Sequence, residues 1–238
     1  MRSRTFRDIP RFALRARAMI WPDHFAKRVY PLVRQHTLLR YETLRSLYEA
    51  ALYVVKQGIK GSAVECGVAK GGSGATIATA LSEADPGRQV FLFDTFQGLP
   101  APSRENPDYE RAVQLIGKCR GELNEVDDLL RRLKLRNYRL IEGMFQETLP
   151  MADTGNISLL HIDGDWYEST RACLENLWDR VSEGGIVQID DYGEWQGCKK
   201  AVDEFFDRKA IKVRLQYIDP AARKLTKLHK PGTRPVLT

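Results

Sequence analysis

Two periodicities divide this chain. Residues 157–162 and 185–189 are short apolar runs, the pattern of strands buried on both faces of a parallel sheet, and 63–67, 89–93 and 138–143 read as further short strands. Between them, apolar positions recur every three or four residues. Leu44, Leu47, Tyr48, Ala51, Leu52 and Val55 predict a helix over 42–56 that stops at Gly58. Ala75, Ile77, Ala78 and Leu81 predict another to about residue 84, and Leu123, Val126, Leu129, Leu130 and Leu133 mark one side of a charged helical region over 110–133. Ser169 or Thr170 near a cap opens a helix with the buried stripe Ala172, Leu174, Leu177, Trp178 and Val181, ended by Gly184 and Gly185. Ala201, Val202, Phe205 and Phe206 are spaced for burial on the last helix. Val213, Leu215 and Tyr217 alternate as a strand, with an antiparallel partner around Leu225 and His229. About seven strands with helices between most of them predict a covered α/β sheet.

Ahead of the sheet, residues 1–20 are basic and weakly patterned, and Trp21 and Pro22 begin a more organised stretch. Residues 30–41 read as part of a helical cap whose exposed apolar face suits a dimer contact. The division expected is a basic arm and helical cap over 1–57 and one α/β domain over 58–238. The net charge of +6 gathers at the ends, in Arg2, Arg4, Arg7, Arg11, Arg15 and Arg17 and again in Arg223, Lys224, Lys227, Lys230 and Arg234. Charge alone does not make a nucleic-acid binder, and no zinc-finger spacing, RNA-binding signature or recognition-helix motif accompanies it. No apolar run of membrane-spanning length occurs. Cys66, Cys119, Cys173 and Cys198 form neither a CxxC pair nor a zinc spacing, which points to a reducing, cytoplasmic setting; Cys66 and Cys173 read as small buried hydrophobes.

The chemistry sits at strand ends. The run 157–162 leads into Asp163-Gly164-Asp165, and 185–189 leads into Asp190-Asp191, so four carboxylates arrive where open α/β sheets bind ligands. Such repulsion needs a cation or a proton to offset it, and oxygen ligands suit a hard divalent ion. The first strand runs into Gly67-Val68-Ala69-Lys70-Gly71-Gly72-Ser73, a turn that lets backbone approach a ligand and presents helix-start amides. Its spacing is not GxGxxG, and Glu65 faces a pyrophosphate badly; S-adenosylmethionine, with a cationic centre and an amino group, fits better than NAD. Asp94 closes the second strand, where a Rossmann-like site holds its ribose. Residues 101–109 are polar and Pro-broken, either a lid or a surface crossover. Phe145 either stacks on a base or packs in the core.

Glu65-Cys66-Gly67-Val68-Ala69-Lys70-Gly71-Gly72-Ser73, Asp94-Thr95-Phe96-Gln97-Gly98-Leu99-Pro100, His161-Ile162-Asp163-Gly164-Asp165-Trp166-Tyr167-Glu168-Ser169-Thr170 and Asp190-Asp191-Tyr192 closely resemble the macrocin O-methyltransferase family over most of residues 40–220. The resemblance implies a class I methyltransferase (Rossmann-like) sheet of seven strands with a reversed last strand, a helical N-terminal extension and commonly a homodimer. It also implies S-adenosylmethionine and Mg2+ as cofactors. Carried onto this chain, it makes Asp163, Asp190 and Asp191 the metal ligands and Asp165 the general base. Glu65, Gly67, Ser73, Asp94, Thr95 and Asp163 fall to the cofactor. Trp166 and His161 depart from the usual residues, beside the chemistry. The acceptor implied is a sugar hydroxyl of a natural product or glycoside, a small molecule rather than nucleic acid or membrane, with a catechol or other small-molecule hydroxyl as the alternative.

Overall fold

A computed structural model describes residues 24–228. Five strands, β1 (Ser62–Cys66), β2 (Val90–Asp94), β3 (Tyr138–Glu142), β4 (Ile157–Ile162) and β5 (Val181–Ile189), pair in parallel, and β6 (Gln216–Tyr217) and β7 (Arg223–Thr226) complete one sheet in the order β3-β2-β1-β4-β5-β7-β6. β7 runs antiparallel to both β5 and β6. The reversed last strand expected from the resemblance is therefore present. The order reverses at β1, which lies between β2 and β4, and the crevice this opens beyond their carboxyl ends is where such sheets bind ligands.

The helices follow the apolar stripes. A short helix α1 (Tyr30–Val33) leads to α2 (Tyr41–Lys56), and α3 (Gly72–Ala84) follows β1. Phe25, Val29 and Val33 share one apolar layer with Leu44 and Leu47 of α2, Ile77 and Leu81 of α3, and Leu92 and Leu159 of the sheet. The opposite face buries Val64, Phe93, Leu160 and Val187 against α7 (Tyr167–Leu177) and α8 (Gln196–Arg208), where Trp178, Phe205 and Phe206 pack edge to face. Remaining helices are α4 (Tyr109–Ala112), α5 (Leu123–Arg132) and α6 (Phe145–Met151).

Several local expectations are corrected. The 110–133 region is two helices, α4 and α5, because Gly117 and Gly121 and a positive φ at Cys119 interrupt it. Trp166, not Ser169 or Thr170, is the N-cap of α7, and no side chain caps it. Val181 opens β5 rather than closing the helix stripe; a register shift between Ile157 and Leu159 accommodates the extra residues before Ile186. Val213 and Leu215 lie outside β6 and pack, partly buried, against the second core. The antiparallel partner spans Arg223–Thr226, and His229 lies outside the described residues, as do residues 1–20, Trp21, Pro22, Lys230 and Arg234. Within the stretch 30–41 the first helical part ends at His36, Thr37 is extended, and Tyr41 opens α2.

Candidate active site

The strand ladder continues past the strands and fixes the floor of the crevice. Gly67 N–H donates to the Phe93 carbonyl (2.9 Å), Asp163 N–H to Cys66 (2.8 Å) and Asp190 N–H to Ile162 (2.9 Å). Gly67 has φ +97°, and a Cβ there would collide with the Asp163 carbonyl. Glycine is thus what allows the ends of β1 and β4 to meet. A cavity of about 340 Å³ opens above them, lined by Gly67, Ser73, Asp94, Thr95, Asp163, Asp165, Asp190 and Asp191 among others. Eight of the nine site residues expected from sequence are therefore brought together.

Asp163, Asp165 and Asp191 offer carboxylate oxygens within 4.8 Å of one another. Asp190 lines the same cavity, yet its Oδ1 is buried without a hydrogen-bond partner. Burial, and then repulsion from Asp190, Asp191 and Asp165, drives Asp163 well above the usual carboxylate range. Burial and Asp165 do the same to Asp191, although Asp191 Oδ2 accepts the Asp165 N–H (2.9 Å). Asp165 is pushed up to about 7 by burial and Asp190, with the hydrogen-bonding side chain of Trp195 pulling it back. Asp190 is pushed up to about 6 by burial, opposed by His161. Four carboxylates that resist ionising together, one with an orphaned oxygen, form a donor set fitted to a hard divalent cation.

The glycine loop is pinned by the second strand. Asp94 Oδ2 accepts the N–H groups of Val68 (2.7 Å) and Ala69 (2.9 Å), while its Oδ1 accepts Phe96 N–H (2.8 Å). Thr95 Oγ1 donates to the Gly98 carbonyl (3.2 Å) and accepts Gln97 N–H, tying the following turn. Gly71, at φ +87°, is the N-cap of α3, whose first turn with Ser73 borders the cavity. Among the described non-glycine residues six have positive φ, and four of these (Ala69, Phe96, Cys119 and Asp165) sit in loops around this cavity, where strained backbone tends to gather.

Glu65 is the ninth expected residue, and it does not reach the cavity. It is fully buried with Oε1 on His161 Nδ1 (2.9 Å), its Oε2 turned under α3 beside Gly74. Strand alternation explains this: Glu65 shares a face with Ala63 and Gly67, and that face is covered by α2 and α3.

One wall was not foreseen. The Arg111 guanidinium lies 3.8 Å over the Trp195 ring and pairs with Glu194 (2.8 Å), and Trp195 meets Trp166 edge-on with centroids 5.0 Å apart. Trp166 Nε1–H donates to the Pro100 carbonyl (3.0 Å). Thr37, Leu38 and Leu39 close another side. Phe145 both packs against the second core and lines the cavity. The 101–109 segment is an anchored crossover: Asn106 is buried, Ser103 bonds Glu168, and Asp108 accepts Gly197 N–H (2.7 Å).

This arrangement has known counterparts, beginning with a family profile, macrocin-O-methyltransferase (TylF), that matches residues 14–226. The chain belongs to the macrocin-O-methyltransferase family. It is an O-methyltransferase, and the fold implies S-adenosylmethionine as methyl donor. Within the family it is 34% identical over 190 residues, covering 77% of this chain and 72% of the relative, to the 8-demethyl-8-(2,3-dimethoxy-alpha-L-rhamnosyl)-tetracenomycin-C 4'-O-methyltransferase of Streptomyces olivaceus. It is also 34% identical over 178 residues, 71% of this chain and 67% of the relative, to the demethyldecarbamoylnovobiocin O-methyltransferase of Streptomyces niveus. The solved structure of the O-methyltransferase NovP superposes with a TM-score of 0.78 at 31% identity, covering 82% of this chain and 83% of that one. No helix among the described residues is long and apolar enough to cross a membrane. Of the unforeseen residues, Trp195 had a signal, being an aromatic four residues beyond Asp191, whereas Arg111 had none.

Proposed function

We propose that this methyltransferase acts on a hydroxyl of a sugar moiety in a natural product or glycoside, with Asp163, Asp190 and Asp191 as the ligands of Mg2+ and Asp165 as general base. The observation that carries the reading is the meeting of Asp163, Asp165 and Asp191 within 4.8 Å, in a cavity shared with the glycine loop. Asp190 is taken as a ligand because its buried Oδ1 has no other partner, and Asp165 as base because Trp195 and Arg111 already face it. The rhamnosyl group named in the Streptomyces olivaceus relative supports a sugar acceptor. Exposed Leu32 and Leu38 on the N-terminal segment support a homodimer.

Gly67, Ser73, Asp94, Thr95 and Asp163 would hold the cofactor, with the first-turn amides of α3 suited to its carboxylate. When bound, the cofactor supplies an electrophilic methyl group and the cation makes the acceptor hydroxyl more acidic. Ionised Asp165 would take the proton of the acceptor hydroxyl, so that its oxygen could receive the methyl group that the cofactor would give up in leaving as a neutral thioether. Leu99, Pro100, Phe145 and Trp195 keep water from the reacting groups.

The roles separate by substitution. Asp190→Asn is expected to lose Mg2+ binding, while Asp165→Asn keeps it and loses turnover; the reverse pattern would exchange the two assignments. A panel of glycosides and catechols assayed with S-adenosylmethionine tests the acceptor, and methylation confined to catechols overturns the sugar reading.

A further inference from the structure

Beneath the aspartates, a polar row crosses a sheet layer that is otherwise apolar. Glu65, His161, Gln188 and Lys224 stand in register on β1, β4, β5 and β7. Their face is the one that buries Ala63, Leu92, Leu159 and Ile186 against α2 and α3. Glu65, His161 and Gln188 are completely buried. Such a row interrupts the continuous hydrophobic character that a doubly covered parallel sheet requires, so its retention asks for a reason.

The hydrogen bonding is incomplete in one sense only. His161 Nδ1 meets Glu65 Oε1 at 2.9 Å, and Gln188 Nε2 donates to the Thr43 carbonyl (3.3 Å). Left without partners are Glu65 Oε2, His161 Nε2, Gln188 Oε1 and, just past the end of β5, Asp190 Oδ1. Glu65 is an acceptor, so it fixes the ring proton on Nδ1 and leaves Nε2 accepting. The four orphans are then all acceptors, and a single water with two hydrogens can serve the pair formed by His161 Nε2 and Asp190 Oδ1.

We propose that His161, anchored by Glu65, is a positioning residue for Asp190, orienting that carboxylate toward the cavity through a buried water held between Nε2 and Oδ1. The inference rests on the reading of Asp190 as a cation ligand. Outer partners of this kind set the direction of a ligand they never replace, and their loss weakens metal binding about 10- to 100-fold. Here the partner stands on β4, which leads into Asp163, and is anchored to Glu65 of β1.

The test uses His161→Asn, whose side-chain amide keeps a donor near Glu65 but cannot reach the place of Nε2, and His161→Leu, which removes both functions. Mg2+ and S-adenosylhomocysteine are each titrated calorimetrically into the full chain. The expected result is that His161→Asn binds Mg2+ about tenfold more weakly than wild type, with S-adenosylhomocysteine affinity within about twofold. His161→Leu, where it folds, loses at least as much. Unchanged Mg2+ affinity in folded His161→Asn overturns the proposal alone; absence of Mg2+ binding in wild type overturns it together with the cation reading. Should neither variant fold, nitrogen-15 spectra of wild-type histidines decide: a His161 Nε2 resonance that moves on Mg2+ addition supports the proposal, and one that stays fixed rejects it.

Discussion

Gly67→Ala tests the geometry on which the site depends. The added Cβ would fall inside the Asp163 carbonyl oxygen and 2.8 Å from its carbon, where real Cβ atoms essentially never approach within 3.0 Å. The ends of β1 and β4 must part by about 1 Å, because packed backbone has no slack to absorb the overlap. A positive φ for alanine costs about 1–2 kcal/mol. Weakening the Gly67–Phe93 and Asp163–Cys66 hydrogen bonds adds about 1 kcal/mol each at most. The total of about 3 kcal/mol corresponds to a fall of about 6–12 °C in Tm for a chain of this size. Because Asp163 moves with the strand end, the cation site and the cofactor loop separate, and a displacement of about 1 Å costs on the order of 100-fold in turnover. Thermal unfolding followed by circular dichroism, with a methyl-transfer assay on the same preparation, reads both quantities. A variant that melts and turns over like wild type would refute the claim that glycine is required for these strands to meet.

Other predictions follow from the same geometry. Asp165→Asn is expected to lower turnover about 100-fold or more while S-adenosylhomocysteine binding stays unchanged, since only the proton acceptor is lost; wild-type turnover rejects the base. Trp195→Phe keeps the edge-on contact with Trp166 but removes the indole N–H facing Asp165, so turnover should fall about tenfold with little change in melting temperature. Acidity offers a further check. Asp190 and Asp165 are raised to about 6 and about 7, so ionising them in the fold removes stability as pH rises from the ordinary carboxylate range through those values. Mg2+ binds the ionised form and restores that loss, so the Mg2+-induced gain in Tm should be larger at pH 8 than at pH 5; an equal gain at both rejects these carboxylates as the cation site.

The parts of this protein legible in its sequence are those encoded locally. Apolar runs placed β4 and β5, short strand patterns placed β1, β2 and β3, and the carboxylates that follow β4 and β5 were visible as chemistry because repulsion between them demands a counter-charge wherever they fold. What failed locally was decided by tertiary packing. Val213 and Leu215 alternate like a strand, yet they are used as loop residues against Phe205 and its neighbours. Glu65 carries the charge expected of a cofactor contact, but its direction depends on the register that sets it opposite His161, 96 residues away. Arg111 reaches Trp195 only because α4 folds beside the start of α8, and no pattern in either segment announces the contact.

The most direct test is calorimetric titration of S-adenosylhomocysteine and of Mg2+ into metal-stripped wild type and into an Asp190→Ala, Asp191→Ala double variant. The account predicts that wild type binds both ligands and that the variant binds S-adenosylhomocysteine normally while losing Mg2+. Mg2+ binding that survives in the variant, or is absent from wild type, would contradict a catalytic cation held at the ends of β4 and β5.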